Sequence, residues 1–186
     1  MKRASVVPAC VLVVLALAPW APPLAAQTAT VPAVLAGRWT YPHDVAHAQS
    51  IVLAATEPLL SGFPEIVRPL ARDQVRSRVR IARSIEVALD GAAVRTVFRG
   101  DRNLTVATPL GVRSTITGSE GQPVEVSQSL RGGWLEQTFH GQEGGMRQLL
   151  STEPDGRTLH LDVALESERL SAPIRFRLDY VRAPGS

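Results

Sequence analysis

The second half of the chain alternates apolar and polar residues in short segments, and each segment is followed by a turn that contains glycine. Alternation with a period of two is typical of strands with one face in a core and the other in water. Dipeptides such as Asp90-Gly91 and Gly132-Gly133 favour the tight turns that join antiparallel neighbours. The pattern predicts nine strands, at residues 84–89, 93–99, 103–108, 112–117, 123–131, 133–140, 145–152, 158–166 and 173–182.

Residues 36–41 form a tenth candidate strand, which Pro42 ends. An even number of antiparallel strands lets the first strand pair with the last, and this pairing removes the exposed edges of an open sheet. We therefore predict a mainly β protein, a ten-stranded antiparallel up-and-down β-barrel in which residues 36–41 pair with residues 173–182.

Residues 44–79 differ in kind, because their apolar positions recur at helical spacing. Asp44 is a favourable N-cap for a first helix, which Ser61-Gly62 ends. A second helix is expected to begin at Phe63-Pro64 and to bend at Pro69. The pattern predicts a two-helix lid between strands one and two, in which the buried side of the second helix comprises Ile66, Val67, Leu70, Ala71 and Val75.

The first 26 residues have the features of an export signal: Lys2-Arg3, an apolar run at residues 6–17 and small residues before Gln27. We expect this signal to be cleaved and the protein to be periplasmic or secreted. Residues 27–35 are predicted to be a disordered lead-in, residues 36–182 a single barrel domain, and residues 183–186 a tail. The single cysteine, Cys10, lies in the signal, so the mature chain has no disulfide or thiol chemistry.

The sequence pI of about 9.7 overstates the charge of the mature chain. When Lys2 and Arg3 are taken from the 20 basic residues, 18 remain, all arginine, against 17 acidic residues. Nucleic-acid-binding domains carry a clustered excess of positive charge, so this near balance excludes a nucleic-acid role.

The inward-facing positions of the predicted barrel include several polar residues within apolar files. A few convergent polar groups in an apolar cavity are typical of a small-molecule site, although trapped water can satisfy the same groups. The predicted ligand contacts are Thr96, Phe98, Ser114, Gln128, Gln137, Gln148, Leu178 and Tyr180. Gly37 and Trp39 are instead interpreted as a structural plug of the barrel.

The tripeptide Gly37-Arg38-Trp39, the helix pair and the meander that ends at residues 177–181 resemble the calycin group of proteins. The similarity is greater to the fatty-acid-binding proteins than to the lipocalins, which typically have eight strands and a late helix. The resemblance implies a helical lid and an Arg-x-Tyr pair on the last strand that holds a ligand carboxylate. Tyr180 matches that tyrosine, but Leu178 stands in place of the arginine, and Gln148 stands where a second arginine often assists. The missing arginines imply a neutral ligand such as an alcohol, ester, sterol-like or isoprenoid compound.

Other chemistry has weaker support in the sequence. His43 and His47 are spaced for a metal site at the start of the first helix, but a capped helix start explains them as well, and no metal is predicted. His140 and His160 suggest a haem site of the nitrobindin-like kind only if they face inward. Glu136 and His140 share one strand face at a spacing too long for a direct hydrogen bond, and no catalytic motif occurs.

Arg68, Arg72 and Arg76 repeat every four residues along the second helix. They are interpreted as a solvated face, with transient contact to an anionic membrane as the functional alternative. The sequence thus predicts an exported, monomeric, non-enzymatic protein without a cofactor, which binds a small apolar, neutral, lipid-like ligand inside a β-barrel. The alternatives are a structural or interaction barrel filled by its own side chains, and a barrel enzyme that acts on a lipid-like substrate.

Overall fold

The computed structural model describes residues 33–90, 93–118, 121–142, 144–168 and 170–185. The predicted export signal with Cys10, and residues 27–32 of the predicted lead-in, lie outside the described residues. The elements follow in the chain order β1 (Gly37–Thr40), α1 (Val45–Leu60), α2 (Arg68–Arg78), β2 (Ser84–Asp90), β3 (Ala93–Arg99), β4 (Leu104–Pro109), β5 (Arg113–Thr117), β6 (Pro123–Arg131), β7 (Trp134–Gly141), β8 (Gly144–Thr152), β9 (Thr158–Glu166) and β10 (Ile174–Arg182).

The ten strands form one antiparallel sheet that curls into a nearly closed barrel, in the order β4-β3-β2-β1-β10-β9-β8-β7-β6-β5. β1 pairs with β10, with Trp39 opposite Arg182 and Thr40 opposite Val181. The predicted fold class and the pairing of first strand with last are therefore confirmed. The expectation that closure removes both sheet edges is wrong at one place. Although every residue of β4 and β5 is described, no ladder joins these two consecutive strands, and a gap remains between them.

The helix pair lies between β1 and β2, as predicted. α1 begins after Asp44, whose carboxylate accepts the backbone N–H of His47 at 2.7 Å. α2 begins at Arg68 rather than at Pro64, because Pro69 occupies the first turn, where its missing N–H has no partner to lose. Pro69 therefore begins the helix instead of bending it. No helix in the described ranges is long and apolar enough to cross a membrane.

The predicted buried side of the second helix is wrong in two positions. Ile66 and Leu70 are 88% and 62% exposed. Ile66 lies in a turn that precedes α2, so the helical spacing that predicted its burial does not apply there. Leu70 lies in α2, where it borders the barrel mouth described below.

Trp39 is fully buried and anchors the start of the domain. Its indole N–H donates to the carbonyl of Leu35 at 3.1 Å, and the guanidinium of Arg182 lies 4.2 Å over its ring. Leu35 is fully buried as well and belongs to the hydrophobic core. Arg182 also donates to the backbone carbonyls of Val34, Ala36 and Gly156.

Candidate ligand cavity

A cavity of about 700 Å³ lies between the helix pair and the end of the barrel where α2 crosses it. The helices and the loop between them contribute Thr56, Leu60, Phe63, Leu70, Ala71, Gln74 and Val75. The barrel contributes mainly Leu104, Ile116, Val124, Phe139, Met146, Leu165 and Ile174. The cavity is therefore walled mostly by aliphatic and aromatic side chains, in the size range of small-molecule sites.

The cavity carries almost no charge. Glu166, at the end of β9, is the one ionisable residue among the described lining residues, and no arginine, lysine or histidine contributes to this lining. The hydroxyl of Thr56 is used within its own helix, where it donates to the carbonyl of Val52 at 2.8 Å. An anion that entered this space would meet no described cation, and its burial would be strongly disfavoured.

A layer of glutamines lies beyond the cavity, further from the mouth. Gln137 lies two residues before Phe139 on the same face of β7, and Gln148 lies two residues after Met146 on the same face of β8, so each is one inward position deeper than its cavity-lining neighbour. Gln128 pairs with Gln137 in the ladder, and Gln137 pairs with Gln148. The three side chains, here called the glutamine layer, are at most 8% exposed.

The glutamine layer connects the two sides of the gap between β4 and β5. The side-chain amide of Gln128 donates to the carbonyl of Val94 at 2.8 Å and to the carbonyl and hydroxyl oxygens of Thr108 at 3.1 and 2.9 Å. The amide of Gln137 donates to Gln128 Oε1 at 2.6 Å and to the hydroxyl of Thr96 at 3.1 Å. These bonds join β6 and β7 to β3 and β4, which share no ladder with them.

Two buried oxygens in this layer accept no hydrogen bond from the residues that the structure describes: Gln137 Oε1 and Gln148 Oε1. The amide of Gln148 meets only a weak acceptor, the sulfur of Met146 at 3.4 Å. Buried acceptors without a partner are rare in folded proteins, because each keeps the cost of its desolvation.

The last strand presents the inward face that the sequence predicted. Leu178 and Tyr180 are buried, whereas Arg175 and Arg177 are exposed on the outer face, where Arg177 pairs with Asp162 at 2.8 Å. The hydroxyl of Tyr180 donates to the carbonyl of Ala82 at 2.9 Å. Burial raises the pKa of this hydroxyl well above its ordinary value. Its proton is committed to the backbone rather than to a ligand.

None of the eight predicted ligand contacts is among the residues that line the cavity. Thr96, Gln128, Gln137 and Gln148 come together in the glutamine layer, Phe98, Leu178 and Tyr180 are buried in the apolar core, and Ser114 is half-buried on β5. Gly37 and Trp39, the predicted plug, also lie outside this lining. Direct contact of the eight residues with a ligand stays a prediction.

The residues that line the cavity were missed because strand parity identifies the inward face but not the depth along the barrel. The lining comes from strand ends next to the lid, and from α2 itself. The start of β8 approaches the end of β9 closely, since a Cβ on Gly144 would overlap the carbonyl oxygen of Glu166. Clusters of glycine in the turn between β7 and β8 are the one signal in the sequence that marks the mouth.

The histidines lie outside the cavity. The rings of His43 and His47 are in contact, with centroids 4.5 Å apart, but no group of three potential metal ligands occurs among the described residues. His140 is exposed, and His160 faces outward, where its Nδ1 lies 2.7 Å from the carboxylate of Asp179. The inward histidine that a haem site requires is therefore neither of these.

The arginines of α2 have internal partners. Arg72 forms a bidentate pair with Glu57 of α1 at 2.7 and 2.8 Å. Arg68 donates to the carbonyls of Phe63 and Ser61 in the loop between the helices. The arginine of the series with the longest ion pair is Arg76, 3.6 Å from Asp73. Arg68 and Arg72 therefore connect α2 with the preceding loop and with α1, and the Arg72 and Arg76 side chains remain partly exposed to solvent.

Comparison with known proteins gives no match to a family model and none to a curated protein. Solved structures do match. The apo lipid binding protein 8 of Caenorhabditis elegans is 14% identical with a TM-score of 0.53, and the match covers 83% of this chain and 100% of that chain. A Schistosoma mansoni fatty acid binding protein in complex with arachidonic acid is 13% identical with a TM-score of 0.51, covering 83% and 99%.

A third similar structure is an abundant heat soluble protein from Ramazzottius varieornatus, 10% identical with a TM-score of 0.53, covering 81% of this chain and 96% of that chain. Identities this low establish the fold and no more. The chain thus has the fatty-acid-binding-protein-like fold of the calycin group, which confirms the predicted resemblance.

Proposed function

We propose that this protein binds a small, neutral, lipid-like molecule in the cavity between α2 and the barrel. The observation that carries the proposal is an apolar space of about 700 Å³ whose described lining includes no basic residue. A hydrophobic chain gains free energy when it leaves water for such a space. A carboxylate would arrive there without a counter-charge, because Arg175 and Arg177 point away from it.

The similar structures support a lipid as the ligand, since two of them are named for fatty acid or lipid binding. They also support a binding role rather than an enzymatic one. The proposed neutrality of the ligand departs from a fatty acid, and it rests on this chain's own residues. Leu178 and Gln148 occupy the positions where the resemblance implies arginine.

The proposal is tested by filling the cavity. Ala71 lines the cavity on α2, and Ala54 is an exposed alanine on α1 that does not. Ala71→Trp should weaken the binding of an environment-sensitive lipophilic probe by at least tenfold. Ala54→Trp should leave the affinity for the probe unchanged. Native mass spectrometry of protein purified from its host should show a neutral lipid on the wild type and less on Ala71→Trp. Equal behaviour of the two variants contradicts the proposal.

A second candidate function is a structural or interaction barrel that holds no ligand. It is favoured by the fully buried side chains that fill the interior beyond the cavity, among them Leu135, Leu150 and Leu159. A ligand that binds only the native state raises the melting temperature as its concentration rises. This second reading predicts no shift with any neutral lipid and no lipid in the mass spectrum.

We further infer that the protein acts outside the cytoplasm as a monomer. Export rests on the charge and hydropathy pattern of residues 1–26. Fractionation of the host together with N-terminal sequencing of the mature protein tests export, and light scattering tests the monomer.

We also infer that the lid makes transient contact with an anionic membrane. Ile66 and Leu70 expose apolar side chains next to Arg68, Arg72 and Arg76. Arg76 is the suitable site for a test, because Arg68 and Arg72 also hold the lid together. Arg76→Glu should slow transfer of the probe to vesicles of phosphatidylglycerol but not of phosphatidylcholine, and the effect should fade in high salt. An equal rate of transfer for wild type and variant contradicts the inference.

A further inference from the structure

The direction of the hydrogen bonds in the glutamine layer is fixed from one end. Gln128 faces two backbone carbonyls, those of Val94 and Thr108, and a carbonyl can only accept. Gln128 must therefore present its NH₂ group to them and its Oε1 to Gln137. Because Oε1 also only accepts, Gln137 must present its own NH₂ group to Gln128.

The consequence is that Gln137 Oε1 is fixed as an acceptor. Flipping the amide of Gln137 would place two acceptor oxygens 2.6 Å apart in a fully buried setting. The hydrogen bonds therefore fix Gln137 Oε1 as an acceptor without a donor among the described residues, and Gln148 Oε1 also has no described donor. Both side chains are more than nine-tenths buried.

The two acceptors lie next to the cavity. Gln137 and Gln148 are adjacent in the β7–β8 ladder, one inward position beyond Phe139 and Met146, which line the cavity. Two residues of strand correspond to about 7 Å. Met146 contacts Gln148 through its sulfur, and methionine is a flexible, unbranched side chain that adapts to what it packs against. The side chain of Met146 therefore lies between the cavity and Gln148.

We propose that the polar end of the ligand is a hydrogen-bond donor, a hydroxyl or primary amide, which passes Met146 and donates to the free oxygens of Gln137 and Gln148. This inference rests on the proposed function and makes it more specific. A methyl ester has no hydrogen to donate and leaves both acceptors without a partner. A carboxylate directs negative charge at two acceptor dipoles, and the described cavity lining supplies no cation to offset it. A long-chain alcohol or primary amide matches both the acceptors and the apolar walls.

The test compares hexadecan-1-ol, hexadecanamide, methyl hexadecanoate and hexadecanoate at pH 7.5 by displacement of one lipophilic probe. We expect the alcohol and the amide to bind the wild-type protein at least tenfold more tightly than the ester and the acid. In Gln148→Met, which keeps a similar shape but removes the acceptor, that advantage should shrink to threefold or less. Gln142→Met, in the exposed turn between β7 and β8, is the matched control and should keep the full advantage.

A second measurement does not depend on a variant. The ¹³Cδ resonances of glutamine in selectively labelled protein should shift for Gln137 and Gln148 when hexadecan-1-ol binds, and shift less when the ester binds. Equal affinity for alcohol and ester overturns this inference but leaves the proposed function intact, because the cavity is still occupied. Tightest binding of the acid overturns the inference as well. If none of the four compounds displaces the probe, the proposed function fails and the inference fails with it.

Discussion

Gln128 is expected to be the residue that holds the gap between β4 and β5 together. The two strands have no ladder between them, so among the described strands β4 pairs only with β3, and a single bridge between Leu110 and Gln128 follows it. The side chain of Gln128, fully inside the barrel, supplies the link from β6 to the carbonyl and hydroxyl of Thr108 on β4. It also holds Val94 on β3 and accepts from Gln137 on β7. One side chain thus connects four strands.

The perturbation is Gln128→Met, which keeps the length of the side chain and removes every one of these bonds. A buried polar group that loses its partner costs about 1–3 kcal/mol, although relaxation recovers part of this cost when several groups are adjacent. Since the variant affects Val94, Thr108 and Gln137 together, we expect a loss of about 2–4 kcal/mol from a total stability of about 5–15 kcal/mol. For a chain of this size that loss corresponds to a melting temperature lower by roughly 4–16 °C.

The assay combines urea unfolding with hydrogen exchange resolved by strand. Gln128→Met should increase exchange first in β4 (Leu104–Pro109), because β4 loses the hydrogen bonds from Gln128 to Thr108 across the gap. Thr108→Val removes one of the three acceptors and should cost about 0.5–1.5 kcal/mol, and in the double variant the two losses should not add. Gln142→Met is the control. A melting temperature within 2 °C of that control, with unchanged exchange in β4, would refute the role of Gln128.

Three further outcomes are expected elsewhere in the domain. Arg182→Met should lower the melting temperature clearly more than Arg175→Met, because Arg182 donates to the backbone carbonyls of Gly156 and Ala36 and Arg175 is exposed on the outer face. Burial raises the pKa of Tyr180 above its ordinary 10.0, so native-state stability in urea should fall as pH rises above 10, and Tyr180→Phe should reduce that slope. Arg72→Gln removes an exposed pair with Glu57, so its small effect on thermal unfolding should fade in high salt.

The strands and the face to which each side chain points were predictable, because both depend on the alternation of neighbouring residues within one strand. Alternation within β6, β7 and β8 placed Gln128, Gln137 and Gln148 on the inward face, and the structure buries all three. The partners of these glutamines were not predictable, because Val94 and Thr108 lie 34 and 20 residues away from Gln128 in the chain. Such contacts depend on how closely the two sides of the gap approach each other, and no local pattern encodes that distance.

The packing of the lid was also not predictable from the local sequence pattern. Helical spacing on α2 identified an apolar set, but spacing does not say which element will cover it. Leu70 is exposed at the mouth, whereas Val75 is half-buried and packs against the core. The gap between β4 and β5 was missed for a similar reason. The turn at residues 109–111 has the same Pro and Gly chemistry as turns between strands that do pair.

The mouth of the cavity, its walls and the glutamine layer differ in polarity, and a ligand has to match each of them in turn. The carboxylate of Glu166 borders the mouth, apolar side chains form the walls, and two acceptor oxygens lie beyond Phe139 and Met146. A molecule with a donor at one end and a hydrocarbon chain behind it meets each of these parts with a suitable group when the donor enters first. The opposite orientation would leave the buried acceptors against hydrocarbon and place the hydroxyl near solvent, where water already satisfies it. The two orientations therefore differ in whether the buried acceptors receive a hydrogen bond. This hydrogen bond at the buried end should determine both the orientation of the ligand and its selection.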